Sequence, residues 1–393
     1  YSSNYPVSAN AFDNTYNGSG DIVVTKFNAA GSALLGSTYI GGNAMDGINF
    51  EPQEFTAGNL KRNYGDQNRG EVNVDANNDI YVASCTMSSN FPVTGGAIQT
   101  TFGGTQDGCA FKLNNDCSQL IWCTYLGGSN DDACYSLDIG PAGTLYVAGG
   151  TMSSNFPTVP GSLHTSYQGG QYDGFVCLIN ATGTQLVSSS YIGTAGDDQV
   201  YFVKLDATGN VYFVGQTTGA YPVQNAAYSN ANSGQFITKI NPSLNSIFYS
   251  TVFGSGTGSP NISPTAFVID TCENVYVAGW GTNSGSFANF QNDMFNMPLT
   301  NDALQTTTDG TDFYFFVLAK NAQNILYGSY FGGNGAIEHV DGGTSRFDKR
   351  GVIYEAICAG CGGNSLTPTT AGVWSPTNRS TNCNELGLKI AFN

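Results

Sequence analysis

The sequence predicts an all-β chain folded as one β-propeller of about six four-stranded blade repeats, incomplete at both ends. Three observations predict it. A Tyr-centred strand recurs at Ile80-Tyr81-Val82-Ala83, Leu145-Tyr146-Val147-Ala148, Val211-Tyr212-Phe213-Val214, Val275-Tyr276-Val277-Ala278 and Ile353-Tyr354-Glu355-Ala356. An aromatic–Pro turn recurs at Pro6, Pro92, Pro157, Pro222 and Pro298, and more loosely at Pro368. Steps between copies are mostly 61 to 66 residues, stretched to 86 and 78 where loops are inserted. Such a period means units that cannot bury their apolar faces alone, and four β-patterned segments per unit point to propeller blades. With 51 Gly, 12% aromatic and only 11% charged residues, the composition fits a turn-rich β chain and leaves little for amphipathic helix.

The elements follow in order. Residues 1–42 supply the third and fourth strands of a first blade, with Asn28-Ala-Ala-Gly31 as the hairpin turn. Tyr1-Ser-Ser-Asn-Tyr-Pro6 aligns with Met87-Ser-Ser-Asn-Phe-Pro92, so the chain is expected to begin inside a blade, with any targeting segment upstream. Complete blades are expected at about 69–128, 129–193, 194–254 and 255–333, and a partial one at 342–393. Long insertions fall at 43–68 and after Trp280; with 86–106 and 358–383 they are expected to share one end of the propeller, where a partner surface is expected.

Asp75, Asp206, Asp270 and Asp348 each lie six residues before a repeat tyrosine. They could ring a channel with carboxylates. The motif Asp206-Ala-Thr-Gly-Asn210 instead favours an Asx turn at each inner hairpin. Asp131-Asp132 and Asp197-Asp198 hold equivalent places before the inner strands. Paired acids on a loop suit Ca²⁺, but Ca²⁺ needs six to eight oxygens, backbone capping is the plainer reading, and no cofactor is expected.

Ten cysteines in a lysine-poor chain suggest an oxidising compartment and up to five disulfides, without fixing their connectivity. Cys358, Cys361, Cys383, Cys109 and Cys123 are the disulfide candidates. Zinc is an alternative, since Cys358-Ala-Gly-Cys361 with Cys383 offers three thiols, but only His164 and His339 exist as histidines and neither lies at a suitable spacing. Buried free thiols are the remaining reading.

The densest ionic cluster runs from Glu338-His339 through Asp341, Ser345 and Arg346 to Asp348-Lys349-Arg350. His, Asp and Ser together invite a hydrolase reading, but there is no Gly-x-Ser-x-Gly elbow, and a charge pair locking the inner strand is favoured. A net charge of −16 repels phosphate backbones and argues against nucleic acid as a partner. No run of 18 apolar residues is present to span a bilayer.

The pattern Ser154-Asn-Phe-Pro157, Asp173-Gly-Phe-Val176, Tyr191-Ile-Gly193, Gly196-Asp-Asp198 and Asp206-Ala-Thr-Gly-Asn210-Val-Tyr212 resembles the bacterial SBBP-type β-propeller repeat. Tyr64-Gly-Asp66 with Arg69-Gly-Glu71, His339-Val-Asp-Gly-Gly-Thr-Ser-Arg-Phe-Asp348, and Cys358-Ala-Gly-Cys-Gly-Gly363 with Asn382-Cys-Asn384 resemble the propeller region of gliding-motility-associated surface proteins of Bacteroidetes. That resemblance implies type IX secretion, an extracellular or outer-surface location, and no catalytic residues to carry over. The expected function is a non-enzymatic interaction module of an adhesin, appendage or extracellular filament, binding a protein partner or itself through open blade edges. A glycan-binding propeller is the alternative. It would use Trp280, Tyr64, Arg62, Arg69, Glu71, Arg346 and Asp348; His339 and Asp341 are further candidates for binding a ligand or partner. A polysaccharide hydrolase or lyase would need two convergent carboxylates.

Overall fold

The computed structural model describes residues 2–49, 60–282, 294–340, 345–348 and 350–392, with the side chain of Tyr64 outside that description. Among these residues, twenty-one antiparallel strands form six sheets. A two-stranded sheet pairs β1 (Ile22–Phe27) with β2 (Leu34–Ile40). The second contains β3 (Glu71–Val74), β4 (Ile80–Thr86), β5 (Asp107–Leu113) and β6 (Leu120–Leu126). The third contains β7 (Asp132–Ile139), β8 (Leu145–Thr151), β9 (Asp173–Ile179) and β10 (Leu186–Ile192). The fourth contains β11 (Asp198–Leu205), β12 (Val211–Thr217), β13 (Gln235–Ile240) and β14 (Ile247–Phe253). The fifth contains β15 (Ser263–Ile269), β16 (Val275–Trp280), β17 (Phe313–Leu318) and β18 (Ile325–Phe331). A three-stranded sheet closes the series with β19 (Arg346–Phe347), β20 (Ile353–Ala359) and β21 (Asn384–Ile390). Each sheet is a meander, so every blade is local in sequence and the propeller is incomplete at its first and last sheets.

The repeat marks now have a physical cause. Where the fourth strand of a complete blade carries a tyrosine near its end, the hydroxyl reaches back to pin the aromatic–Pro turn. Tyr125 donates to Ser88 O at 2.8 Å and accepts from Phe91 N at 3.1 Å, Tyr191 donates to Ser153 O, and Tyr330 links Met294 O with Met297 N. Because blades pack face to face, their strands are buried on both sides and read as continuous apolar runs; all seven residues of β8 are buried. At the Asn180-Ala-Thr-Gly183 hairpin, Gly183 has φ +68°, and a Cβ there would run into the Trp122 ring of the preceding blade. Only glycine suits both the turn and the approach.

The Asx-turn reading holds. Asp75, Asp206, Asp270 and Asp348 each accept from the backbone N–H two residues on, at 2.8–2.9 Å. The cysteine reading needs correction. One disulfide, Cys361–Cys383, is present; Cys109 and Cys123 are buried and unbonded to each other, Cys109 standing opposite Tyr125 and Cys123 opposite Phe111. Six of the ten cysteines are buried without a disulfide and serve as small hydrophobes between blades. Among the described residues no helix is long and apolar enough to cross a membrane.

Candidate functional site

Contacts between innermost strands run in series from β3 to β7, β11, β15 and β19, and they wall a central channel. The segment Leu60–Arg69 covers one end of it. Asp66 organises this segment: fully buried, it accepts from Arg62 N at 2.8 Å, Asn63 N at 2.7 Å, Arg69 Nε at 2.6 Å and Tyr201 Oη at 3.2 Å. Arg69 lies 4.3 Å above the Tyr201 ring and continues across the channel to Ser263 Oγ and Pro264 O on β15. Glu71 receives Lys204 Nζ at 2.8 Å, Ser136 Oγ at 2.5 Å and Leu137 N at 3.1 Å. Burial alone would raise its pKa, but the Lys204 charge and these donors hold it below the usual range.

The sequence-predicted residues Arg69, Glu71, Trp280 and Arg346 do converge, around one cavity, but that cavity is only about 20 Å³. It has room for a water molecule and none for a sugar. Trp280 is 1% exposed, with its ring 5.6 Å from that of His339, so it cannot present a stacking face. These residues are the bolts of the channel rather than a glycan site. Arg62 contributes its backbone to the Asp66 turn. Asp348 caps its own turn and pairs with exposed Arg350 at 2.9 Å. His339 forms a two-bond bridge with Cys358. Asp341 lies outside the described residues, as does the Tyr64 side chain.

The wider end of the channel, a cleft of about 770 Å³, exposes carboxylates that the backbone already engages. Asp138 accepts from Leu205 N at 2.8 Å and Ile139 N at 2.9 Å. Asp206 and Asp270 close their turns.

Acidic residues of a second kind meet at the blade junctions. A Cβ on Gly127 would stand 2.6 Å from Asp107 Oδ1 and 2.7 Å from Asp132 Oδ2. Gly41 sits likewise against Asp21 and Asp46, Gly193 against Asp173 and Asp198, and Gly332 against Asp312 and Glu338. Burial, with the neighbouring acid adding to it, raises Asp132 and Asp173 to about 7 and Glu338 to about 8. The four calcium candidates are thus divided. Asp132 and Asp198 belong to junction pairs, whereas Asp131 accepts from Thr105 Oγ1 and Asp197 from Gln171 N. Sequence reading missed the partners Asp107 and Asp173. The signal was available: where one repeat carries Gln235 in place of the first acid, it carries Asn261 in place of the second.

The first sheet provides the largest departure from a closed ring. Beyond its bond to β2, β1 has no strand partner among the described residues, and a cleft of about 520 Å³ separates it from the face of the second blade. Ile22, Val24 and Thr25 line one wall, and Val72, Val82 and Ser84 the other. The pairing registers make Val72 equivalent to Leu137, Val203 and Phe267. Those three are 0, 0 and 4% exposed because the face of the preceding blade covers them; Val72 is 52% exposed.

No protein-family model matches the chain, and no curated protein matches it in sequence. Among solved structures it is similar to a polysaccharide lyase, a PL25 ulvan lyase bound to -[GlcA(1-4)Rha3S]-, at 10% identity over 81% of this chain and 67% of that one, TM-score 0.41. It is also similar to a protein of unknown function from Dyadobacter fermentans, at 12% identity over 87% and 85% of the two chains, TM-score 0.40. A third likeness is to a protein of unknown function from Bacteroides caccae, at 12% identity over 74% and 81%, TM-score 0.31. All three are too distant to assign an activity.

Proposed function

We propose that the chain is a non-enzymatic interaction module of the cell surface or extracellular space, of the SBBP-type propeller class, which binds by taking β-strands into its open first blade. The observation that supports this is the exposure of Val72 at a position buried in three other blades, beside the edge of β1, which has no second strand partner among the described residues. An open edge next to an apolar wall is the arrangement that strand addition uses: main-chain hydrogen bonds supply affinity, and alternate side chains supply selectivity. The occupant that fits is a hairpin with two apolar-faced strands, equivalent to β7–β8, from another polypeptide segment. Adhesion or filament assembly through such exchange is the role it would serve.

The test is hydrogen exchange on the 393-residue chain with a synthetic hairpin spanning residues 132–151 added in excess. Amides of residues 22–27 and 70–74 are expected to slow, and Val72→Lys is expected to abolish the slowing. Unchanged exchange at both segments would overturn the reading.

A further inference from the structure

Beyond that reading, the last sheet carries a second chemistry. His339 N donates to Cys358 O at 3.0 Å and Cys358 N to His339 O at 2.9 Å, so a β-bridge brings a histidine 19 residues upstream of the cysteine alongside it. The turn after β20, with Gly360 at φ +63°, folds Cys361 back toward the same point, 3.9 Å from His339 Nδ1. Donor atoms of His339, Cys358 and Cys361 all lie within 4.8 Å of one another. Cys383, just before β21, adds the fourth through its bond to Cys361.

A tetrahedral zinc ion bound at about 2.3 Å from sulfur and 2.0–2.1 Å from imidazole requires donors separated by roughly 3.5–4 Å. The four residues are therefore nearly gathered already. The spacing is that of a Cys-x₂-Cys knuckle, and the imidazole is 4% exposed beside the Trp280 ring, which limits its rotation. The histidine that spacing alone ruled out is supplied by strand pairing.

We propose that His339, Cys358, Cys361 and Cys383 form a Cys₃His zinc site when the chain is reduced, and that the Cys361–Cys383 disulfide is its oxidised alternative. A dithiol reductant opens the disulfide by exchange, leaving two thiols here and forming its own disulfide. Zn²⁺ then displaces three thiol protons and takes the neutral imidazole as fourth ligand. Either state ties β20, β21 and the segment before β19 together, so the last blade is fastened before and after oxidation.

The experiment uses the full chain carrying Cys272→Ser, which removes the exposed cysteine. After reduction with a phosphine under anaerobic conditions, it is titrated with Co²⁺ and then Zn²⁺. One equivalent of Co²⁺ should give tetrahedral thiolate absorption, which one equivalent of Zn²⁺ discharges, and Zn²⁺ should raise the Tm of the reduced chain only. Cys358→Ser leaves the disulfide possible, so its oxidised form should melt like the parent. In its reduced form, as in reduced His339→Ala, zinc affinity should fall by more than the roughly 10–100-fold typical of losing an outer-shell partner. The absence of a stoichiometric thiolate band in the reduced parent overturns the proposal, as does undiminished binding in both variants.

Discussion

Asp107 and Asp132 begin strands of successive blades, and their carboxyls meet at Gly127, each with an oxygen within 2.7 Å of the point where a Cβ would stand. Two buried acids so placed do not both ionise readily, and burial with the Asp107 charge raises Asp132 to about 7. Asp46, Asp198 and Asp312 rise to about 6 at the other junctions, again chiefly through burial. Their native pKa values exceed the unfolded ones, so between about pH 4 and 7 the folded chain binds more protons, and stability falls as pH rises through that range. Glu71 and Asp206 act in the opposite sense. Asp206 is held at about 2 because hydrogen bonds, chiefly from Asn210 and Thr208, outweigh its burial, and its contribution is lost as pH falls below about 4. The Tm measured from pH 8 to pH 3 should therefore rise on acidification to a maximum near pH 4–5 and then fall. A Tm that is flat or highest at pH 8 would contradict the pairing.

Asp132→Asn should stabilise the chain at pH 8. The carboxyl's Oδ2 accepts from Gly128 N at 2.6 Å and Ser153 Oγ at 2.9 Å, contacts the amide oxygen keeps. The Thr151 hydroxyl also bonds this carboxyl, and a neutral amide removes the cost of burying a second charge beside Asp107. Gln235 and Asn261 already occupy the corresponding junction around Gly254 in neutral form. Urea unfolding should show a gain of about 1–2 kcal/mol at pH 8, with little change at pH 5. The reverse substitution, Asn261→Asp, should lose stability at pH 8.

The blades were legible because each is a local meander whose turns need Gly, Pro, Asn or Asp at fixed offsets; Asn180 and Gly183 mark such a hairpin in the sequence itself. Channel residues were legible in part. Arg69, Glu71, Trp280 and Arg346 converge as expected, but their ionic and aromatic character is spent on Asp66 of the segment that covers the channel and on Lys204, Tyr201 and His339, which lie on other blades. No single repeat reveals that cross-channel pairing. The cysteines misled for a related reason: Cys109 and Cys123 sit on paired strands, yet the register sets each opposite an aromatic residue. His339 was dismissed on spacing because only the fold places it beside Cys358.

Native thiol chemistry should separate buried from accessible cysteines. Cys85, Cys109, Cys117, Cys123, Cys134 and Cys177 are buried, and burial pushes the Cys117 thiol up to about 11. A thiol so placed offers little thiolate to a reagent near neutral pH. A disulfide reagent at pH 8 should modify Cys272 quickly and Cys358 more slowly, with the other six reacting only in denaturant. Fast native reaction at more than two positions would contradict the packing.

Glu71→Ala should be among the more damaging single changes in the channel. It removes the partner of Lys204 and leaves the Ser136 hydroxyl and Leu137 N–H without their acceptor. Breaking a buried ion pair from one side costs about 3 kcal/mol or more. Glu71→Gln keeps an acceptor for Ser136 and Leu137 and should cost less. Denaturant titration of both variants orders them, and equal losses would mean that the charge alone carries the effect.

The open first blade predicts an asymmetry between equivalent positions. Val72 and Leu137 occupy the same place on successive inner strands, but Leu137 is covered by the preceding blade and Val72 faces the cleft beside β1. Leu137→Ala should cost about 2–5 kcal/mol, the range for emptying a packed core site. Val72→Ala should cost well under about 1 kcal/mol, because half of that side chain is already in water. When a strand occupies the cleft, the valine acquires the environment its counterpart has permanently, and Val72→Ala should then weaken that complex while leaving the free chain's stability nearly unchanged. Urea unfolding of each variant with and without the 132–151 hairpin distinguishes the cases. Comparable losses at Val72 and Leu137 in the free chain would mean that the ring is closed there.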